Sequence, residues 1–133
     1  MTDAIIEAYG SSLDEAFENS AKGLVNTMID LKEITPDHQE YEIIAKGYDL
    51  KSLLYDWLEK VMLRLLIDNL ALSDFKVKIS EGNDNYFLKG IAKGEVLDLK
   101  KHHYKVEIKA VTYHEMEIER KENIIIIRFL LDL

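Results

Sequence analysis

Apolar and polar residues alternate in two short stretches of the chain, which predicts strands over residues 3–9 and 40–46. In the first stretch Ala4, Ile6 and Ala8 would share one face, since successive side chains of a strand point to opposite faces. Each predicted strand is followed by a segment with a different apolar period.

Those two segments repeat their apolar residues every three or four positions, which predicts amphipathic helices. Ser12 and Glu15 match a capping box at the start of a helix over residues 12–29. Asp49 would cap a longer helix that continues to about residue 71. The apolar stripe of this second helix is wider, so we expect it to be the central packing element, with its tryptophan in the core. The stripe comprises Leu50, Leu53, Leu54, Trp57, Leu58, Val61, Leu65 and Leu66.

The rest of the chain has a strand-like pattern. The stretches FKVKIS and NYFLKGIA flank the turn sequence EGNDN, YKVEIKAVT alternates, and HEMEIER and NIIIIRFLLDL flank KEN. The last strand is apolar on both faces from Ile124 to Ile127, which favours a central position covered on both sides. The order β-α-β-α followed by four or five strands predicts one α+β domain, residues 1–133, with two helices packed on a mostly antiparallel sheet.

Composition narrows the classes of function. The 133 residues carry a net charge of −8 and a pI near 5.0, so we expect a basic partner or a cation, and no direct nucleic-acid binding unless a local basic face exists. Cysteine is absent, which excludes disulfides, thiolate metal sites and cysteine nucleophiles. No apolar run approaches the roughly 18 residues that a membrane span needs, so no membrane association and a cytoplasmic location are expected.

Enzyme chemistry has little support in the sequence. None of His38, His102, His103 and His114 has the spacing of a helical zinc site, and we expect solvated or hydrogen-bonded surface histidines. No nucleophile-elbow, phosphate-loop or dinucleotide motif is present.

Acidic groups lie at both ends of the chain. If the first and last strands are antiparallel neighbours, Asp3 faces Asp132 and the terminal carboxylate of Leu133. Three carboxylates within about 4–6 Å could not all stay ionised without strong donors or a cation. Oxygen ligands suit calcium or magnesium. The spacing alone favours two terminal acids that are merely solvated.

Lys109 lies in an alternating stretch in which Val106, Ile108 and Ala110 would form one strand face. Lys109 would then share the other face with Glu107 and Val111. A lysine there could balance an acidic cluster or reach a phosphate. The same pattern is also expected for a lysine that simply faces solvent from a strand.

The segment GEVLDLKKHHYKVEIKAVTYHEMEI, and KAVTYH within it, resembles the signature of the archease family. The opening TDAIIEAYGSSLDEAFENSAKGL is similar to that family's acidic first strand and first helix, and family members also close with an apolar strand, an Asp and one final residue. Archeases usually carry several residues before the opening acid, whereas only Met1 and Thr2 precede Asp3. Whether the amino end is shortened, and whether an upstream ligand is missing, stays open.

The resemblance implies a protein cofactor rather than an enzyme. Archeases assist the tRNA-splicing ligase that joins RNA ends with a 3′-phosphate or 2′,3′-cyclic phosphate to 5′-hydroxyl ends, by promoting ligase guanylylation and multiple turnover and by broadening nucleotide use. The family's metal site falls on Asp3, Asp132 and Leu133, for calcium or alternatively magnesium or manganese. The family's activating lysine falls on Lys109.

Two other functions stay open. One is a general chaperone or a modulator of RNA-modifying enzymes such as methyltransferases, with a purely structural metal. The other is a metal-dependent hydrolase, although no general base or nucleophile is evident near the terminal acids.

Overall fold

The computed structural model describes residues 3–36 and 39–133 and confirms the predicted α+β class and element order. The second helix ends at Leu66 rather than near residue 71, because the chain turns through Asn69, whose φ of 56° lies in the left-handed region that asparagine tolerates. The elements in chain order are β1 (Asp3–Gly10), α1 (Leu13–Met28), a short 3-10 turn (Leu31–Glu33), β2 (Glu40–Gly47), α2 (Leu50–Leu66), β3 (Leu70–Glu81), β4 (Tyr86–Val96), β5 (Ala110–Lys121) and β6 (Ile124–Asp132).

The strands form two antiparallel sheets of three strands each, where the sequence had suggested one. The first sheet has the order β1-β6-β5 and the second the order β2-β4-β3. The predicted pairing of the first and last strands is confirmed, and so is the central position of β6. Only one face of β6 is fully buried, since Ile126 and Leu130 on the other face are partly exposed and Ile124 is 39% exposed. The apolar outer face of this strand is thus available at the surface.

The core lies between the helices and the inner faces of both sheets. Trp57 of α2 is fully buried, as predicted, and its ring N–H donates to the carbonyl oxygen of Phe17 in α1 at 3.0 Å. The Trp57 ring also meets Phe75 of β3 edge-on, with ring centroids 5.9 Å apart. One side chain therefore fastens both helices to the second sheet.

Charged helix side chains cover both edges of the second sheet. On the β3 edge, Glu18 accepts the backbone N–H of Val77 at 2.8 Å and Asp14 accepts that of Ile79 at 3.1 Å. Along the β2 edge, Asp56, Lys60 and Arg64 of α2 bond backbone groups of Lys46, Ile44 and Glu42, respectively. These contacts satisfy edge groups that could otherwise pair with another chain.

Candidate functional site

Strands β1 and β6 bring the two ends of the chain together. Asp3 and Asp132 are direct partners in the antiparallel register, and both side chains are exposed. Residues directly opposite each other in such a pair project from the same face, with Cβ atoms about 4.5–5.5 Å apart. The structure therefore places the two predicted acids side by side on the outer face of the first sheet.

The other two predicted residues lie at the same end of this sheet. The side chain of Leu133 packs partly against the core, so its contribution to a polar site is the terminal carboxylate that follows Asp132. Lys109 is exposed, and its backbone N–H donates to the carbonyl oxygen of Asp132 at 2.7 Å. Ala110 then pairs with Asp132 in the register of β5 and β6. All four predicted residues are neighbours along the chain or across strands.

This donor set fits a hard divalent cation. Two side-chain carboxylates and a chain-terminal carboxylate supply only oxygen ligands, the type that calcium and magnesium prefer. Nowhere in residues 3–36 and 39–133 do three or more His, Asp or Glu side chains converge into a metal site. A cation here would therefore depend on the terminal carboxylate, on backbone oxygens and on water to complete its shell.

The strand predicted to include Lys109 begins just after this residue. Residues 105–109 lie outside the strands, and β5 starts at Ala110. Glu107 and Lys109 are exposed as expected, but Val111 is buried and so does not share their face. The reason is that residues before Ala110 follow the loop from β4 rather than a sheet register.

That loop is fixed by a buried histidine. His102, expected at the surface, is only 1% exposed. Its Nδ1 accepts the backbone N–H of Asp98 at 2.9 Å, so Nε2 carries the proton and donates to Glu95 Oε2 at 2.9 Å. Burial alone would raise the pKa of Glu95. Hydrogen bonds from the Lys101 ammonium, the Thr35 backbone N–H and His102 outweigh it and lower the pKa to about 2.

The neighbouring histidine has a separate partner. His103 is exposed and contacts Glu33 at 3.0 Å through Nδ1, and the hydrogen bonds from His103 lower the pKa of Glu33. The two adjacent histidines thus bind different carboxylates and do not form a ligand pair. His114 is exposed, as predicted, and His38 lies outside the described residues.

An aromatic contact that the pattern did not reveal docks β5 on α2. The register of β5 and β6 shifts between Thr112 and Glu117, which marks a bulge. From this bulge Tyr113 stacks on Tyr55, with ring centroids 4.5 Å apart and planes within 5°. Tyr113 follows Lys109 by only a few residues, so this contact also supports the position of the lysine. The sequence does not indicate this contact, because the two tyrosines are far apart along the chain.

Comparison with known proteins identifies the family to which this fold belongs. The sequence model of the Archease protein family matches residues 1–133. This chain belongs to the archease family. The archease of Pyrococcus furiosus is 43% identical over 118 residues, which cover 89% of this chain and 82% of that protein.

Solved structures agree with the family assignment. The solution structure of Methanobacterium thermoautotrophicum protein 1598 has a TM-score of 0.83 and 38% identity to this archease, over 100% of this chain and 94% of that one. A Thermotoga maritima archease, described as a possible chaperone, has the same fold, with a TM-score of 0.64 and 20% identity over 99% and 91% of the two chains.

Within residues 3–36 and 39–133, no helix combines the length and apolar character needed to cross a bilayer.

Proposed function

We propose that this chain is a non-enzymatic activator of the tRNA-splicing ligase, which joins RNA ends bearing a 3′-phosphate or 2′,3′-cyclic phosphate to 5′-hydroxyl ends. It promotes guanylylation of the ligase and multiple turnover, and it broadens the nucleotides that the ligase accepts. The observation that carries the proposal is the register that pairs Asp3 with Asp132 while Lys109 bonds the Asp132 backbone. These contacts bring three residues that are distant in sequence to the same end of the first sheet, which supports the assignment of one exposed polar site.

A divalent cation, for which we propose calcium, completes this site. Asp3, Asp132 and the Leu133 carboxylate hold it, and the cation offsets the repulsion among three carboxylates at the sheet end. The exposed Lys109 side chain is left to contact the partner or a phosphate of its nucleotide. Magnesium and manganese accept the same oxygen donors and are the alternatives.

The outer face of the first sheet supplies a surface for docking. Its exposed acids alternate with apolar side chains of β1 and β6, including Ile5, which is 59% exposed, and Tyr9, which is 47% exposed. Such a face suits a basic partner surface, and long-range attraction would speed the encounter at low salt. The acids of this face are Asp3, Glu7, Glu117, Glu119 and Asp132.

The activator shifts the ligase toward the state that accepts the guanylyl group. It can do so only by binding that state more tightly than the other. The protein is released after each event, so a small amount should serve many ligase molecules. Turnover therefore distinguishes an activator from a stoichiometric subunit.

The test measures ligase guanylylation and RNA joining with archease at one tenth of the ligase concentration and in excess. We expect multiple turnover at the lower ratio, and Lys109→Ala should abolish it. Lys105→Ala removes an exposed lysine of the same loop and should retain it. Equal stimulation by wild type and Lys109→Ala would show that the site is assigned wrongly.

A general chaperone is the second candidate, favoured by the exposed apolar residues of the first sheet and by the description of the Thermotoga maritima relative. A chaperone should suppress aggregation of unrelated proteins and should tolerate Lys109→Ala. An effect of the protein on one ligase alone, with no effect on unrelated proteins, would argue for the activator.

A further inference from the structure

The outer face of the second sheet is basic, although the chain as a whole carries a charge of −8. The register aligns the outward residues of β2, β4 and β3 in cross-strand rows. The four rows that cross all three strands hold five lysines and three acids, so this part of the face carries more positive than negative charge. The lysines are Lys46, Lys76, Lys78, Lys89 and Lys93, and the acids are Glu40, Glu42 and Asp74. Glu95 lies beyond these rows on β4 and pairs with Lys101.

Two of these lysines oppose each other directly. Lys78 and Lys89 are partners in the antiparallel register, an arrangement that destabilises a sheet because like charges are held close together. Lys89 has a carboxylate of Glu42 at 3.4 Å, but in the described part of the chain neither Lys76 nor Lys78 forms an ion pair. Folding stability gives no reason for this grouping, whereas an anionic ligand does.

The lysines border two shallow grooves. One, of about 540 Å³, is lined by three lysines (Lys22 of α1, Lys76 and Lys93), two acids (Glu40 and Asp74) and the partly exposed Ile91. Glu40 pairs with Lys93 at 3.7 Å. The second, of about 370 Å³, adjoins it and is lined by Lys76, Lys78 and Lys89 with one acid, Asp14 of α1. The grooves share Lys76 and Ile91, so they form one basic track across β3 and β4.

An exposed aromatic ring stands beside this track. Phe87 faces outward from β4, two residues before Lys89, and is 44% exposed. Lysines two residues apart on a strand are separated by about 7 Å, and adjacent strands by about 5 Å, so cationic groups recur at short, regular intervals. Regular positive charge with a ring for base stacking is the arrangement that proteins use for single-stranded nucleic acid.

We infer that this lysine track binds single-stranded RNA through its phosphates, with Phe87 stacking on a base. The inference goes beyond the proposed function. It also changes the expectation from net charge, which had disfavoured nucleic acid in the absence of a local basic face. The acidic face of the first sheet and this basic face belong to different sheets, so one molecule could contact a basic protein and an RNA strand together.

The experiment measures binding of a labelled 12-nucleotide single-stranded RNA by fluorescence anisotropy, between 20 and 200 mM salt, with no ligase present. Wild type should bind with a slope of log affinity against log salt of about −2 to −3, the value for three or four phosphate contacts. In Lys76→Ala/Lys78→Ala/Lys89→Ala the slope should become shallower by about two, with at least tenfold weaker binding at low salt.

A matched triple variant controls for net charge. Lys51→Ala/Lys100→Ala/Lys121→Ala removes three exposed lysines elsewhere and should bind RNA within about twofold of wild type. Phe87→Leu keeps an apolar side chain but removes the stacking surface, and should weaken RNA binding by about threefold to tenfold. Thermal unfolding of each variant verifies that it is folded.

Poly-glutamate of matched charge distinguishes RNA from an acidic protein. RNA should bind more tightly than poly-glutamate, and only the RNA complex should respond to Phe87→Leu. Equal RNA affinity of the two triple variants would overturn the inference. So would equal binding of both polyanions with no effect of Phe87→Leu, because the occupant would then be an acidic protein. Since no ligase is used, failure here leaves the proposed activator function untouched.

Discussion

Glu95 accepts a hydrogen bond from the buried ring of His102, with Nε2 and Oε2 2.9 Å apart. The same carboxylate accepts from the Thr35 backbone at 2.8 Å and forms an ion pair with Lys101 at 2.7 Å. One acid thus joins β4, the loop before β5 and the segment after α1. Since that loop leads to Lys109, Glu95 is a structural support for the candidate site.

Glu95→Gln should destabilise the protein at neutral pH but not in strong acid. The pKa of Glu95 is lowered from 4.5 to about 2 in the folded chain, so its stabilisation is complete above about pH 4.5 and is lost as the pH falls toward 2. We expect a decrease of about 1–2 kcal/mol in the free energy of unfolding at pH 7, after allowance for solvent screening. Urea denaturation from pH 7 to pH 2 measures it.

Glu119→Gln is the control for this titration, because Glu119 is exposed on the outer face of the first sheet. Its stability should stay within about 0.5 kcal/mol of wild type. If wild type and Glu95→Gln lose stability in parallel down to pH 2, the contacts of Glu95 do not stabilise the fold.

Gly90→Ala should disturb the core through Trp57. A Cβ atom at position 90 would lie 2.7 Å from Cζ3 and 2.8 Å from Cη2 of the fully buried indole. Overpacking of this kind destabilises by about 1–3 kcal/mol. The chain has one tryptophan, so the unfolding transition can be followed by its fluorescence.

Two further variants test that mechanism. Gly82→Ala places a Cβ 3.1 Å from the exposed ring of Phe87, which can move, so the effect should be below about 0.5 kcal/mol. In a Trp57→Phe background, where unfolding is followed by circular dichroism because no tryptophan is left, Gly90→Ala should cost less than in wild type, because the smaller ring leaves room. An unchanged cost there would point to backbone conformation instead of the indole.

The faces of β1 and the central position of β6 could be predicted because their signals are local, whereas the pairing of the two strands was an assumption that the structure confirms. Alternation places Ala4, Ile6 and Ala8 on one face of β1, and therefore Asp3 on the other, as the structure confirms. The apolar run from Ile124 to Ile127 indicated a central strand, and β6 has that position. These patterns depend only on period and composition, which a sequence displays directly.

Features that depend on tertiary register were not predictable. The lysine track joins Lys76 and Lys78 of β3 to Lys89 and Lys93 of β4, and the lysines become neighbours only when the strands pair. A net charge of −8 conceals the grouping. His102 is similar, because the partner that allows it to be buried, Glu95, belongs to a preceding strand. Division of the strands into two sheets likewise follows from packing rather than from pattern.

Glu18→Ala should expose the edge of β3. It leaves the backbone N–H of Val77 without its acceptor, and an unsatisfied, partly buried donor costs about 1–2 kcal/mol. Glu18→Gln keeps a side-chain oxygen at that position and should recover part of the loss. Hydrogen exchange at Val77 should be faster in the alanine variant than in the glutamine variant, and equal exchange in both would contradict the edge contact.

Calcium should stabilise the protein through the terminal acids. A ligand that binds only the folded state at a hundred times its Kd adds about 2.7 kcal/mol, so the Tm should rise with calcium concentration. Asp132→Asn removes one carboxylate and should abolish most of that rise, and Asp3→Asn should do the same. Asp84→Asn, in an exposed turn where φ is 61° and asparagine is tolerated, should retain it.

The Asp132 variant separates the cation from the position of Lys109. Lys109 bonds the backbone carbonyl of residue 132, which asparagine preserves, so the loop and the lysine should keep their places. If Asp132→Asn loses the calcium-dependent rise in Tm but is as stable as wild type in the presence of a chelator, the loss is due to the missing carboxylate. A calcium-dependent rise in Tm as large in Asp132→Asn as in wild type would place the cation elsewhere and remove the chemical basis of the site.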